Sequence, residues 1–142
     1  MLNIIVFVFC IGVLIPQYCG ADGIPILTRE RLNKIRKECQ ANPATHIDDA
    51  ELSRFGNGEE VDHSTLGPFL LCLNVGLGLQ EPNGDFSSRF REIMSRKIAE
   101  DRMDDFMKTC GKKASDNAEE AAISLSRCIN TFDTPHNPFE IS

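Results

Sequence analysis

Apolar residues recur at helical spacing along most of the chain. Amphipathic helices place apolar residues at every third or fourth position, whereas half-buried strands alternate apolar and polar residues. From Thr28 onwards the sequence repeats the first pattern, and it has no alternating run rich in Val, Ile, Thr and Tyr. The pattern therefore predicts an all-α fold of six short helices in one domain.

Two helices are predicted at the start of this region. Thr28 is a candidate N-cap for a helix over about residues 28–40, because its hydroxyl can accept from a backbone N–H of the first turn. Asp48 or Asp49 starts a shorter helix. Gly56 suits the position just after the end of this second helix, where left-handed backbone is common.

The third helix is predicted to begin at Asp62 or Ser64, with Pro68 in its first two turns, where proline is tolerated at modest cost. Residues 76–84 are rich in glycine and turn formers and end this helix. Asp85 is a candidate N-cap for the fourth helix.

A fifth helix is predicted over about residues 99–112, because its apolar residues recur at the i, i+3, i+4 and i+7 positions of one helical face. Ser115 or Asp116 is the candidate N-cap of a sixth helix, which extends through Phe132. Residues 133–142 follow as a C-terminal tail.

The first 21 residues have a different pattern. They carry no charged residue, and Ile4 to Ile15 is an apolar run broken only by a glycine. Such a run has the length of a signal-peptide core and is too short to span a bilayer. We therefore expect residues 1–21 to be a signal peptide cleaved after Ala21 or after Gly20, with an uncleaved membrane anchor as the alternative. Residues 22–142 are then a secreted, extracellular helical domain.

Charge and motif content exclude several classes of function. The chain has 15 Lys+Arg and 21 Asp+Glu, a net charge of −6, so nucleic acid is not expected as a partner. Neither a nucleophile elbow nor a Cys-x-x-Cys pair is present, and the three histidines stand in no catalytic arrangement. We therefore expect no enzyme activity, no metal site and no cofactor.

Four cysteines remain outside the predicted signal peptide, and each lies on an apolar stripe of a predicted helix. They are Cys39, Cys72, Cys110 and Cys128. Disulfides between packed helices would suit a secreted domain. Four cysteines allow three pairings, and their spacing alone does not choose among them.

This cysteine spacing resembles that of insect odorant-binding proteins of the pheromone and general odorant-binding class. The positions of two cysteines found in the six-cysteine members fall on Pro68 and Glu119 here. The joint loss of these two partners is the pattern of the four-cysteine Minus-C subgroup. The turn over residues 81–84 is also similar to a turn of the family. The resemblance covers residues 27 to about 132.

The resemblance implies two disulfides, Cys39–Cys72 and Cys110–Cys128, that staple six helices around an apolar cavity. It also implies a carrier that binds small hydrophobic, odorant- or pheromone-like molecules and takes them through extracellular fluid. A membrane odorant receptor would be an indirect partner, and the protein would be a monomer or a weak homodimer. The candidate ligand-binding residues are the bulky apolar side chains of the predicted helices: Phe55, Leu66, Phe69, Leu70, Leu73, Phe86, Phe90, Met94, Met103, Phe106, Met107, Leu125 and Phe132.

Several alternatives stay open from the residues alone. Each candidate lining residue also fits an ordinary packed core, and the whole chain also fits a secreted helical signalling protein of the short cytokine type. The tail is either a disordered terminus or a lid in which Phe139 and Ile141 cover a cavity mouth, with His136 titrating near physiological pH.

The polar chemistry open to a ligand site is narrow. The chain has no Trp, and its one Tyr lies in the predicted signal peptide. A polar contact to a ligand must therefore come from Ser, Thr, Asn, His or the backbone. We expect hydrophobic ligands held mainly by shape, with affinities of about micromolar strength.

Overall fold

The computed structural model describes residues 27–132, which contain six α-helices. The signal-peptide prediction for residues 1–21 and the tail prediction for residues 133–142 lie outside the described residues. Within residues 27–132 the only β-pairing is one isolated antiparallel bridge, so the all-α, six-helix prediction is confirmed. The helices are α1 (Arg29–Ala41), α2 (Asp49–Gly56), α3 (His63–Gly76), α4 (Phe90–Met94), α5 (Glu100–Cys110) and α6 (Ala118–Thr131).

The predicted cap of α1 is confirmed, and of the two residues predicted to start α3, Asp62 and Ser64, the N-cap is Asp62. The Thr28 hydroxyl accepts from the Arg31 backbone N–H at 3.1 Å, and an Asp62 carboxylate oxygen accepts from the Ser64 backbone N–H at 2.9 Å. The second hydrogen bond, together with one from the Ser64 hydroxyl, lowers the pKa of Asp62 below its usual 3.8. Pro68 lies in the second turn of α3.

Two predicted helix ends were wrong. The N-cap of α6 is Asn117, whose side-chain oxygen accepts from the backbone N–H groups of Glu119 and Glu120 at 3.0 Å, whereas the Ser115 hydroxyl accepts from the Asn117 backbone N–H. At the end of α2, Gly56 is still helical, and the glycine with a positive φ is Gly58, at 79°.

The fourth helix does not begin at Asp85, because residues 80–86 form a tight turn instead. Gln80 and Phe86 pair in the antiparallel bridge, and the Glu81 backbone N–H donates to the Asp85 carbonyl at 2.8 Å. The turn needs Gly84, which has a φ of 87° and where a Cβ would lie 2.7 Å from the Ala118 Cα. The backbone of residue 85 is therefore committed to the turn, and the helix starts only at residue 90.

Asp85 ties this turn to the segment before α6. Lys113 Nζ donates to Asp85 Oδ1 at 2.7 Å, and the Asn83 side-chain amide donates to its other oxygen at 2.9 Å. The hydrogen bond from Lys113, and after it that from Asn83, lowers the pKa of Asp85 below 3.8. The carboxylate thus stabilises the folded state above its unfolded pKa, and this stabilisation is lost as the pH falls through the lower, folded pKa.

We predict that Asp85→Asn is less stable than the parent protein at about pH 6 and that this difference becomes smaller at about pH 2, because Asp85 of the parent protein is increasingly protonated as the pH falls. Urea denaturation at the two pH values measures this difference. Lys113→Met is the matched variant, because it removes the same ion pair from the other side. A difference for Asp85→Asn that persists unchanged at the lower pH would show that the ion pair is not its cause.

Two disulfides join the helices in pairs. Cys39–Cys72 links α1 to α3, and Cys110–Cys128 links α5 to α6. The pairing implied by the family resemblance is therefore confirmed.

The most extensive helix contact is between α3 and α6, which no disulfide joins. At this contact a Cβ on Gly67 would lie 2.8 Å from the Glu119 Cβ, so the helix backbones pass close together. His63 Nδ1 lies 2.9 Å from Glu120 Oε1. Close packing and a half-exposed contact between His63 and Glu120 thus hold the two helices together near Pro68 and Glu119, the positions that the resemblance assigns to two lost cysteines. None of the described helices has the length and apolar content needed to cross a membrane.

Candidate functional site

The structure brings all thirteen candidate lining residues into, or against, one hydrophobic core. Three are partly buried at its margin: Phe86, Met107 and Phe132. The other ten are buried: Phe55, Leu66, Phe69, Leu70, Leu73, Phe90, Met94, Met103, Phe106 and Leu125. Their burial fits both a closed core and the wall of a ligand site, so their role in binding remains a prediction.

Four phenylalanines form a continuous series through this core, which we call the phenylalanine row. Ring centroids lie 4.5 Å apart for Phe86 and Phe90, 6.1 Å for Phe90 and Phe106, and 5.1 Å for Phe106 and Phe132. Phe106 is fully buried, whereas the two ends of the row are partly exposed. At the Phe132 end of the row, the guanidinium of Arg102 lies over the ring, 5.0 Å from its centroid. The row therefore runs from the protein surface into the buried core.

Helix α3 contributes a second set of buried side chains to the same hydrophobic core. Leu66, Phe69, Leu70 and Leu73 are all at most 4% exposed. Their spacing places them on one broad face of the helix, and this face packs towards α6. Phe55 of α2 lies elsewhere in the core. The guanidinium carbon of Arg127 lies 5.9 Å from the centroid of its ring, and Phe55 is not part of the phenylalanine row.

A buried polar cluster lies against the same apolar face, and the sequence interpretation missed it. Asn74, Gln80 and Ser126 are at most 3% exposed. Asn74 Nδ2 donates to Gln80 Oε1 at 2.8 Å and to Ser126 Oγ at 3.3 Å, and Gln80 Nε2 donates to the Gly84 carbonyl at 3.0 Å. The signal was present in the spacing, because Asn74 follows Leu70 by four residues and so shares its helical face.

One atom of this cluster has no partner. Asn74 Oδ1 is buried and has no hydrogen-bond partner. A buried acceptor without a donor costs about 1–3 kcal/mol and calls for an explanation. Asn74 Oδ1 is thus a buried acceptor on an apolar helix face that is left without a donor from the protein.

Two surface depressions lie elsewhere, on the outer face of α1. Their volumes are about 340 Å³ and 650 Å³. They are lined by polar and charged side chains: Arg29, Glu30, Asn33, Lys34, Arg36, Lys37, Gln40 and Asp49. Neither touches a candidate lining residue, so the predicted apolar cavity is not one of them and remains a prediction.

The two histidines of residues 27–132, His46 and His63, each contact another group of the protein. His63 pairs with Glu120, and His46 Nδ1 lies 3.1 Å from the Gln40 carbonyl on an exposed loop. Within residues 27–132, no group of three or more His, Cys, Asp or Glu side chains is placed to hold a metal ion.

Comparison with known proteins gives one match. A family model described as the PBP/GOBP family matches residues 27–131, a range that contains all six helices and both disulfides. No curated protein and no solved structure matches the chain significantly.

Proposed function

Since the chain belongs to the PBP/GOBP family, the insect odorant-binding proteins, we propose that it is a secreted carrier of small hydrophobic molecules. The family is one of ligand-binding carriers rather than enzymes. What we add for this chain is the site, the kind of ligand it favours and the route by which the ligand reaches the interior. The phenylalanine row is the observation that carries this proposal.

We place the ligand along the phenylalanine row, between α4, α5 and the end of α6. The partly exposed rings of Phe86 and Phe132 offer an apolar path from the surface, and Phe106 forms the buried end. Met103 and Met107 of α5 flank the row, and their unbranched, polarisable side chains repack at low cost around guests of different shape.

Asn74 Oδ1 supplies the polar contact in this proposal. It lies on the α3 face that also carries Leu70 and Leu73, and it accepts no hydrogen bond within the protein. A ligand with a polar end and an apolar chain would satisfy this atom while its chain replaces side-chain contacts of the core.

The remaining parts of the proposal follow from the family. The chain is a four-cysteine Minus-C member, since its two disulfides use all four cysteines of residues 27–132. Residues 1–21 direct its secretion, and it acts as a monomer or weak homodimer that serves a membrane odorant receptor indirectly. The cytokine-type alternative would act through a surface patch and would need no polar group in its core.

We predict that the mature protein binds the apolar dye N-phenyl-1-naphthylamine with a gain of fluorescence, and that long-chain alcohols, esters or terpenoids displace it. An external dye is needed because the described chain has neither Trp nor Tyr.

Phe86→Ala should weaken dye binding by about tenfold, since it opens the row at its exposed end. Val61→Ala is the matched control, because Val61 is buried in the core outside the row. Failure of every apolar probe to bind the correctly folded protein would overturn the carrier proposal, and equal losses in both variants would move the site away from the row.

A further inference from the structure

We infer that Gln80 sets the hydrogen-bonding polarity of the ligand site, so that the carrier prefers ligands with a hydroxyl group over carbonyl or ether ligands of the same size. Gln80 acts through Asn74, which it holds with Oδ1 presented as an acceptor. Gln80 is thus a positioning residue and not a ligand contact. This inference rests on the proposed carrier function.

The orientation of both amides follows from one backbone carbonyl. The carbonyl of Gly84 can only accept a hydrogen bond, so the Gln80 side chain must turn its NH₂ group towards it, at 3.0 Å. Gln80 Oε1 then faces Asn74 and can only accept, so Asn74 must present Nδ2, at 2.8 Å. The two amides are therefore fixed by donor and acceptor chemistry, and neither can flip without placing two oxygens or two NH₂ groups against each other.

The same chain of bonds determines what remains for a ligand. Asn74 Nδ2 uses both of its hydrogens, one on Gln80 Oε1 and one on Ser126 Oγ. Its oxygen is left over, fully buried and without a partner. An alcohol can donate to that oxygen, whereas the oxygen of an aldehyde or ether would face it lone pair to lone pair.

The turn that holds Gln80 is itself rigidly placed next to the phenylalanine row. Gln80 pairs with Phe86, the first ring of the row, and its backbone N–H also points to the Asn74 carbonyl at 3.3 Å. Gly84 is fixed by its positive φ and its close approach to Ala118. The selecting element is thus built into the turn between α3 and α4, at the edge of the proposed site.

Displacement of N-phenyl-1-naphthylamine by 1-dodecanol, dodecanal and 1-methoxyundecane tests the inference, because the three compounds have equal heavy-atom counts. We expect the alcohol to bind about tenfold more tightly than the other two. In Gln80→Met, where Asn74 loses the acceptor that orients it, the preference should fall to about twofold or less while the affinity for the ether stays within about twofold. Gln80→Glu, whose buried carboxyl stays protonated, should keep the preference, because it still donates to Gly84 and accepts from Asn74.

The matched control is Gln40→Met. Gln40 bridges the backbone of Ile47 with both ends of its amide, at 2.8 Å and 3.0 Å, but lies between α1 and α2, away from Asn74. The Gln40→Met variant should lose about as much stability as Gln80→Met, but it should keep the preference for the alcohol. Equal affinities for the three compounds in the parent protein would overturn the inference and leave the carrier function standing. Equal weakening of all three by Gln80→Met would assign Gln80 a purely structural role, and failure of all three to displace the dye would count against the carrier function itself.

Discussion

Removing the Cys39–Cys72 disulfide, by changing both cysteines to alanine, lowers the free energy of unfolding by about 3–4 kcal/mol. The bond closes a loop with a sequence separation of 33 residues, and the unbridged chain regains the entropy that this closure removes from its unfolded state. It also ties α1 to α3, which carries much of the proposed ligand wall. A loss of this size is a large part of a typical domain stability of about 5–15 kcal/mol.

The second disulfide provides the internal control for this prediction. Cys110–Cys128 closes a separation of 18 residues, so the chain-entropy argument predicts a slightly smaller loss, of about 3 kcal/mol, for the corresponding double alanine variant. Guanidinium denaturation of the two variants and the parent protein gives the order directly. A clearly larger loss for the shorter loop would show that packing of the cysteines, and not loop closure, determines their contribution.

Local signals were sufficient for most of the helices. The start of α1 followed from Thr28, and the start of α3 followed to within two residues from the candidate caps Asp62 and Ser64, because an N-cap acts on the backbone of its own first turn. The sixth helix was placed correctly, but its cap was assigned to Ser115 or Asp116. Three capping residue types stand side by side there, and the choice of Asn117 depends on the Ser115 hydroxyl, which is itself occupied by the Asn117 backbone.

Longer-range contacts decided what the sequence could not predict. Asp85 has the chemistry of an N-cap, yet its ion pair with Lys113, 28 residues away, and the Gln80–Phe86 bridge hold it in a turn. The buried polar cluster joins residues 74, 80 and 126 from three segments. Helical periodicity describes one segment at a time, and therefore identified buried apolar residues but not the buried polar cluster that packs with them.

The phenylalanine row leads to the second large expected effect. Phe106→Ala should lower the free energy of unfolding by about 3–5 kcal/mol, because Phe106 is fully buried and its ring contacts another ring of the row on each side. Phe132→Ala, at the partly exposed outer end of the row, should cost less, about 1–2 kcal/mol. Urea denaturation of the two variants measures the difference. Equal losses would show that the row is not anchored at Phe106.

The space left by the Phe106 ring in Phe106→Ala also tests whether this part of the core can hold an apolar ligand. An apolar cavity accepts apolar guests, and a guest that binds only the folded state stabilises it by an amount that grows with the logarithm of its free concentration. Toluene at about ten times its Kd should therefore restore about 1.4 kcal/mol to Phe106→Ala, beyond any effect on the parent protein. Toluene should also compete with N-phenyl-1-naphthylamine for binding to the variant, because toluene and the dye would occupy the same region. If toluene stabilises the variant no more than the parent protein, the Phe106→Ala substitution has left no additional space, because the helices have collapsed onto it.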